Sequence, residues 1–113
     1  MIFRPELAAK VMAGEKTVTR RLVSDNPRSP WFTDTCGYRV GQRVAICPGR
    51  GKHAIGHAEV TSVERRHLGF LDGCEAWREG FRSAREFEAA WAEINGSCDP
   101  DVFVWRIGLR VRP

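Results

Sequence analysis

Apolar residues recur along this chain with two periods, and each period names an element. Leu7, Val11 and Met12 follow a helical spacing that begins at Pro5, where a missing N–H is harmless, and stops at Gly14, which is free to adopt left-handed backbone. The β-branched run Thr17-Val18-Thr19 then predicts a strand on which Thr17, Thr19 and Arg21 share one face, with Lys16 just before it. Val40 to Ile46 and Ile55 to Val63 predict two further strands, joined by the flexible basic tip Pro48-Gly49-Arg50-Gly51-Lys52. Two capping boxes, Asp72 with Glu75 and Ser83 with Glu86, each open a helix. In the second of these, Phe87, Trp91 and Ile94 stand at i, i+4 and i+7, a stripe that predicts burial, and Asn95-Gly96 ends it. The last segment alternates with period two. Phe103, Trp105, Ile107, Leu109 and Val111 are expected on the core face, and Val104, Arg106, Gly108, Arg110 and Arg112 on the other.

Residues 24 to 37 break both periods, with Asp25, Asn26, Pro27, Ser29, Pro30, Asp34 and Gly37 surrounding Trp31 and Phe32. That composition predicts an irregular excursion, and loops of this length usually have a task. The two aromatics either cap the fold or form a lid that stacks on a base. The basic tip has the same duality, as a solvated hairpin loop or a phosphate cradle, and so has the arginine face of the last strand, as a solvated surface or a polyanion track. With 113 residues and no internal repeat, residues 1–113 form one domain around one core.

Charge narrows the partner. A net charge of +4 and a pI near 9.2 favour an anionic partner such as nucleic acid over a basic protein surface. No apolar run approaches the ~18 residues needed to cross a bilayer, and Arg4, Glu6 and Lys10 stand where a signal peptide would be apolar, so a cytoplasmic location with no membrane association is expected. Cys36, Cys47, Cys74 and Cys98 form no Cys-x-x-Cys pair, which points to reduced, structural thiols and away from zinc or a disulfide framework. His53 and His57 have the spacing of a helical metal pair, but Gly56 and the surrounding alternation place them in strand-like backbone without a third ligand nearby. No metal or cofactor is expected.

The densest chemistry lies in Gly14-Glu15-Lys16-Thr17-Val18-Thr19-Arg20-Arg21, where an amine, two hydroxyls and two guanidiniums fall within eight positions. A hydroxyl becomes a useful nucleophile when an adjacent base takes its proton, and a lysine is a base only when neutral. Repulsion from Arg20 and Arg21, together with burial, would lower the Lys16 pKa, and a neighbouring carboxylate would oppose that shift. The same cations can instead bridge a sheet to its helices through ion pairs, with no catalysis at all.

The pattern Gly14-x-Lys16-x-x-Thr19-x-Arg21 after a short helix resembles the signature of the ASCH domain, a relative of the PUA RNA-binding fold. The likeness extends over Val40-Gly41-Gln42-Arg43-Val44, Gly56-His57-Ala58-Glu59-Val60, Glu79-Gly80-Phe81 and the final strand. It implies an α+β fold, a small PUA-like barrel with peripheral short helices. Within that superfamily, Lys16-Thr17-x-Thr19-x-Arg21 is similar to the motif of bacterial N4-acetylcytidine amidohydrolases, in which a Lys, a Thr and a later Glu are the proposed catalytic residues. Carried over, these are Lys16, Thr19 and Glu79, with Thr17, Arg20, Arg21, Trp31 and Arg106 as candidate substrate contacts. The resemblance therefore implies a nucleoside or RNA ligand and amide hydrolysis on a modified nucleoside, with RNA binding or RNA cleavage as the alternative.

Overall fold

The computed structural model of the protein describes residues 1–111, so Arg112 of the expected arginine face lies outside the described residues. Helix α1 (Pro5–Met12) is followed by β1 (Val18–Leu22), β2 (Arg43–Ile46), β3 (Gly56–His67), α2 (Gly73–Arg78), α3 (Ala84–Asn95) and β4 (Phe103–Arg110). Both helices start at their predicted N-caps, with the N-cap half of each box formed. The Asp72 side chain accepts from the Glu75 N–H at the start of α2, and the Ser83 side chain accepts from the Glu86 N–H at the start of α3.

The strands make one antiparallel sheet in the order β1-β4-β3-β2. The class is α+β as expected, and the four-stranded sheet is open rather than closed into a barrel. β3 runs four residues past its predicted end because Glu64 to His67 find partners in the first half of β4, from Arg106 to Phe103. A register shift between Val60 and Ser62 bends β3 across that junction.

Burial corrects the reading of β4. Val104, expected to face away from the core, is fully buried, while Phe103, expected to face it, is partly exposed. The reason is topological, since β4 is an interior strand with helices over both of its faces. On one face α1 supplies Ala8 and Val11 to a cluster with Ile46, Val60, Trp105, Ile107 and Leu109. On the other, Ala76 of α2 and Phe87 and Trp91 of α3 pack with Leu68, Leu71 and Val104. The α3 stripe is buried only through Phe87 and Trp91; Ile94 is 60% exposed, a second departure from the periodicity.

The excursion after β1 is pinned down. The carbonyls of Trp31 and Phe32 accept from the Trp105 indole N–H at 3.2 and 3.0 Å, and the half-buried Trp31 ring packs on Tyr38 with centroids 5.0 Å apart. Trp31 packs against the core cluster, as the capping reading of that residue expects. The four thiols are free, but none is fully buried, and Cys74 is exposed at the start of α2. Among the described residues, no helix is long and apolar enough to cross a membrane.

Candidate functional site

Segment 14–17 is wedged between α1, α2 and β4. The Lys16 N–H donates to the Lys10 carbonyl at 3.1 Å and the Thr17 N–H to the Arg78 carbonyl at 2.8 Å, while the Thr17 carbonyl accepts from Leu109 at 2.7 Å. These bonds aim the Lys16 side chain inward, where it is 2% exposed. Its ammonium uses all three N–H groups, donating to the Val18 carbonyl at 2.8 Å, the Glu79 carbonyl at 2.7 Å and Glu79 Oε1 at 2.9 Å.

Glu79 occupies the C-cap of α2, and Gly80 after it adopts φ +94°. That left-handed backbone, natural for glycine, turns the chain so that Lys10 Nζ can donate to the Gly80 carbonyl at 2.7 Å. Glu79 is thereby buried between α2 and β1, with Arg20 donating to its Oε2 at 2.9 Å. Arg20 also reaches Glu75 Oε1 at 3.0 Å. Glu75 and Glu79, four residues apart on α2, thus grip one guanidinium from the same helix face.

Thr19 is fully buried, and its hydroxyl oxygen accepts from Arg21 Nη1. Arg21 also donates to the Arg20 carbonyl at 3.2 Å and, through Nη2, to the Ile2 carbonyl at 2.9 Å. No hydrogen bond joins Lys16 Nζ to Thr19 Oγ1 among the described residues, so the expected nucleophile and base are held by different partners.

These side chains form the floor of a cavity of about 520 Å³. Because β1 is an edge strand, residues of both its faces reach it, Thr19 and Arg21 from one and Arg20 and Leu22 from the other. Phe81, Phe87, Trp91 and Ile94 line the cavity together with Ile2, Phe3 and Leu7. Pro48 and Gly49 bring the basic tip to the rim. A mostly apolar chamber with a few convergent polar groups is the usual form of a small-molecule site.

Burial is the largest influence on Lys16 and lowers its pKa below 10.5. The Glu79 carboxylate opposes this by charge and hydrogen bonding, while Arg21 and Arg20 push in the same direction as burial. Burial alone would raise the Glu75 carboxyl, but hydrogen bonds from Arg106 and Arg20 outweigh it and bring it from 4.5 down to about 2.

Among the expected site residues, Lys16, Thr19, Arg20, Arg21 and Glu79 converge on the cavity. Thr17 does not; its residue is exposed and only its backbone is engaged. Trp31 lies outside the lining, with its ring 5.8 Å from the Arg21 guanidinium. Arg106 is turned to Glu75, with Nε 3.0 Å from Oε1 and Nη2 3.2 Å from Oε2, and Arg110 pairs with Glu59 at 3.4 Å. The expected polyanion track on β4 is therefore ion-paired along its described length. Lys16 and Arg20 do bridge the sheet to α2, and they do so on the cavity floor.

Sequence reading missed Glu75 and the aromatic wall. The i, i+4 spacing of Glu75 and Glu79 was the available signal for the first, and for the second nothing short of the fold shows that Phe87 and Trp91 border a chamber as well as a core. Among the described residues, no three His, Cys, Asp or Glu side chains gather as a cation site.

No family model and no curated protein matches this sequence. Solved structures do. An ASCH domain from Lactobacillus crispatus superposes with a TM-score of 0.63 at 18% identity, over 94% of this chain and 70% of that one. A protein from Enterococcus faecalis gives 0.63 at 20% identity, over 94% and 69%. A variant of the ASCH protein of Zymomonas mobilis gives 0.58 at 21% identity, over 98% and 66%. With this sheet order, these flanking helices and that agreement over nearly its whole length, the chain has the fold of the ASCH domains.

Proposed function

We propose that this protein binds a modified nucleoside in the cavity and hydrolyses its exocyclic amide, an N4-acetylcytidine-type substrate, through Thr19, Lys16 and Glu79. The observation that carries the proposal is that a fully buried threonine, its hydroxyl bonded to Arg21, lines the same chamber of about 520 Å³ as the buried Lys16–Glu79 pair and the aromatic residues Phe81, Phe87 and Trp91. That volume falls within the roughly 300–1,000 Å³ of ordinary ligand pockets. The Lys16-Thr17-x-Thr19-x-Arg21 motif supports the same reading from the sequence.

The resting site holds Lys16 as an ammonium against the Glu79 carboxylate, 2.9 Å apart. Passing one proton across that bond leaves an amine and a carboxylic acid; burial of Lys16 favours the neutral amine, while Arg20, 2.9 Å from Glu79 Oε2, favours the carboxylate and so the later release of that proton from Glu79. The amine then turns from the Val18 carbonyl to the Thr19 hydroxyl and takes its proton as Thr19 Oγ1 attacks the amide carbonyl carbon. The carbon–nitrogen bond breaks, the Glu79 proton goes to the departing nitrogen, and cytidine leaves with the acetyl group esterified to Thr19. Water hydrolyses the ester, releasing acetate and restoring the hydroxyl. Arg21, already donating to Thr19 Oγ1, favours negative charge on that oxygen.

Incubation with N4-acetylcytidine, with cytidine release followed by chromatography, tests this. Turnover by the wild type and its loss in Lys16→Ala and Thr19→Ala are expected; turnover that survives Thr19→Ala removes the nucleophile and the proposal with it.

A second reading, an RNA-binding module or ribonuclease, draws on the +4 charge and on the exposed Arg50 and Lys52 beside the cavity rim. Under it, RNA affinity falls steeply with salt, and salt-independent binding counts against it.

A further inference from the structure

The cations on the cavity floor are not equally compensated. Lys16 pairs with Glu79 at 2.9 Å, and Arg20 pairs with Glu79 at 2.9 Å and Glu75 at 3.0 Å. Both Glu79 oxygens are then occupied, and Glu79 is the sole carboxylate among the described residues that line the cavity. Glu75 is shared with Arg106, and Glu93 is engaged by Arg4 at 3.3 Å. Arg21 pairs with no carboxylate among the described residues. Its three hydrogen bonds go to the Thr19 hydroxyl, the Arg20 carbonyl and the Ile2 carbonyl, all uncharged. A guanidinium carries five N–H groups, so two remain for another partner. The Phe3 ring centroid lies 4.9 Å away, and the carboxylate that acts on Arg21 through its charge is Glu79, already bonded to Lys16 and Arg20.

Three cations thus share the Glu79 carboxylate, and the half-buried Arg21, the one without a direct ion pair among the described residues, borders a chamber large enough for a ligand. We infer that the cavity binds an anion, a ligand whose phosphate or carboxylate group pairs with Arg21 while a flat apolar body rests on Phe81, Phe87 and Trp91. Resting on the proposed nucleoside site for the identity of that body, this makes the preferred ligand a nucleotide rather than an uncharged nucleoside. The anion preference itself rests only on the charge distribution.

Isothermal titration calorimetry at low salt tests it with matched probes. Cytidine 5′-monophosphate is compared with cytidine, and phenyl phosphate and benzoate are compared with the neutral benzamide. Each anion is expected to bind about tenfold or more tighter than its neutral counterpart, as one charge-assisted contact implies. Added salt should shrink that preference, Arg21→Gln should abolish it, and Arg21→Lys should retain part of it. The tighter of phenyl phosphate and benzoate identifies the head group. Equal affinity for anionic and neutral probes overturns the inference, as does failure of every anion to bind at millimolar concentration or a preference that persists in folded Arg21→Gln. If Arg21→Gln does not fold, the wild-type comparison and its salt dependence decide. Equal binding of cytidine and its phosphate sinks the inference while leaving the nucleoside reading intact. Binding of phenyl phosphate or benzoate with neither cytidine compound supports the inference and sinks the nucleoside reading.

Discussion

Glutamine in place of Glu75 removes a single charge from the junction of α2 with β1 and β4, and its effect can be worked out in advance. The carboxylate receives Arg20 at 3.0 Å, Arg106 at 3.0 and 3.2 Å and Arg78 at 3.3 Å. Its pKa falls from 4.5 to about 2, with the arginine hydrogen bonds overcoming the cost of burial. At about 1.4 kcal/mol for each tenfold change in proton affinity, the carboxylate's contribution has a ceiling of roughly 3 kcal/mol. The side chain keeps 17% of its surface in water. Solvent screening and the ordering of long arginine side chains reduce the expected contribution to about 1–2 kcal/mol. Because the folded-state pKa is depressed, that stability is fully present above pH 4.5 and disappears as pH falls toward 2. Urea unfolding of wild type and Glu75→Gln across this range is the assay. Glu75→Gln should be weaker by about 1–2 kcal/mol at pH 7, with the two curves converging as the wild-type carboxylate protonates. Equal stability at pH 7, or a gap that persists undiminished at pH 2, would refute the argument that Glu75 acts through its charge.

Trp91→Ala should destabilise by about 3–5 kcal/mol in urea unfolding, whereas Ile94→Ser, at a 60% exposed position on the cavity wall, should change stability by less than about 0.5 kcal/mol. Gly80→Ala should cost about 1–2 kcal/mol, since φ there is +94°, and should weaken ligand binding by displacing Glu79; unchanged thermal stability would show that the turn tolerates a side chain. Cys74, exposed at the start of α2, should react first with a thiol-specific chromophore at pH 8. Cys36 and Cys98 should lag, because burial raises both thiol pKa values and lowers their thiolate fractions.

Local signals in the sequence located most of the elements. Asp72 and Ser83 cap their helices because a short acceptor side chain at the N-cap satisfies an orphan N–H group without help from the rest of the fold. Lys16, Thr19 and Glu79 were legible as one site only through the resemblance, since 63 residues separate Lys16 from Glu79. Periodicity failed where burial depends on what packs from outside the element. Val104 reads as outward-facing until α2 and α3 cover it, and Ile94 reads as core until α3 is seen to border an open chamber. Charge failed in the same way. Arg106 and Arg110 look free in one dimension, and only the fold brings Glu75 and Glu59 to them.

Attack of the Thr19 hydroxyl on an amide carbonyl is separated from a merely structural role by two paired substitutions. Thr19→Val keeps the shape of the buried side chain without its oxygen, and Thr19→Ser keeps the oxygen without the methyl group. Cytidine release from N4-acetylcytidine is measured for both against the wild type, with folding verified by circular dichroism. Measurable turnover is expected in Thr19→Ser and none in Thr19→Val. Turnover by folded Thr19→Val, or none by the wild type itself, would contradict that attack.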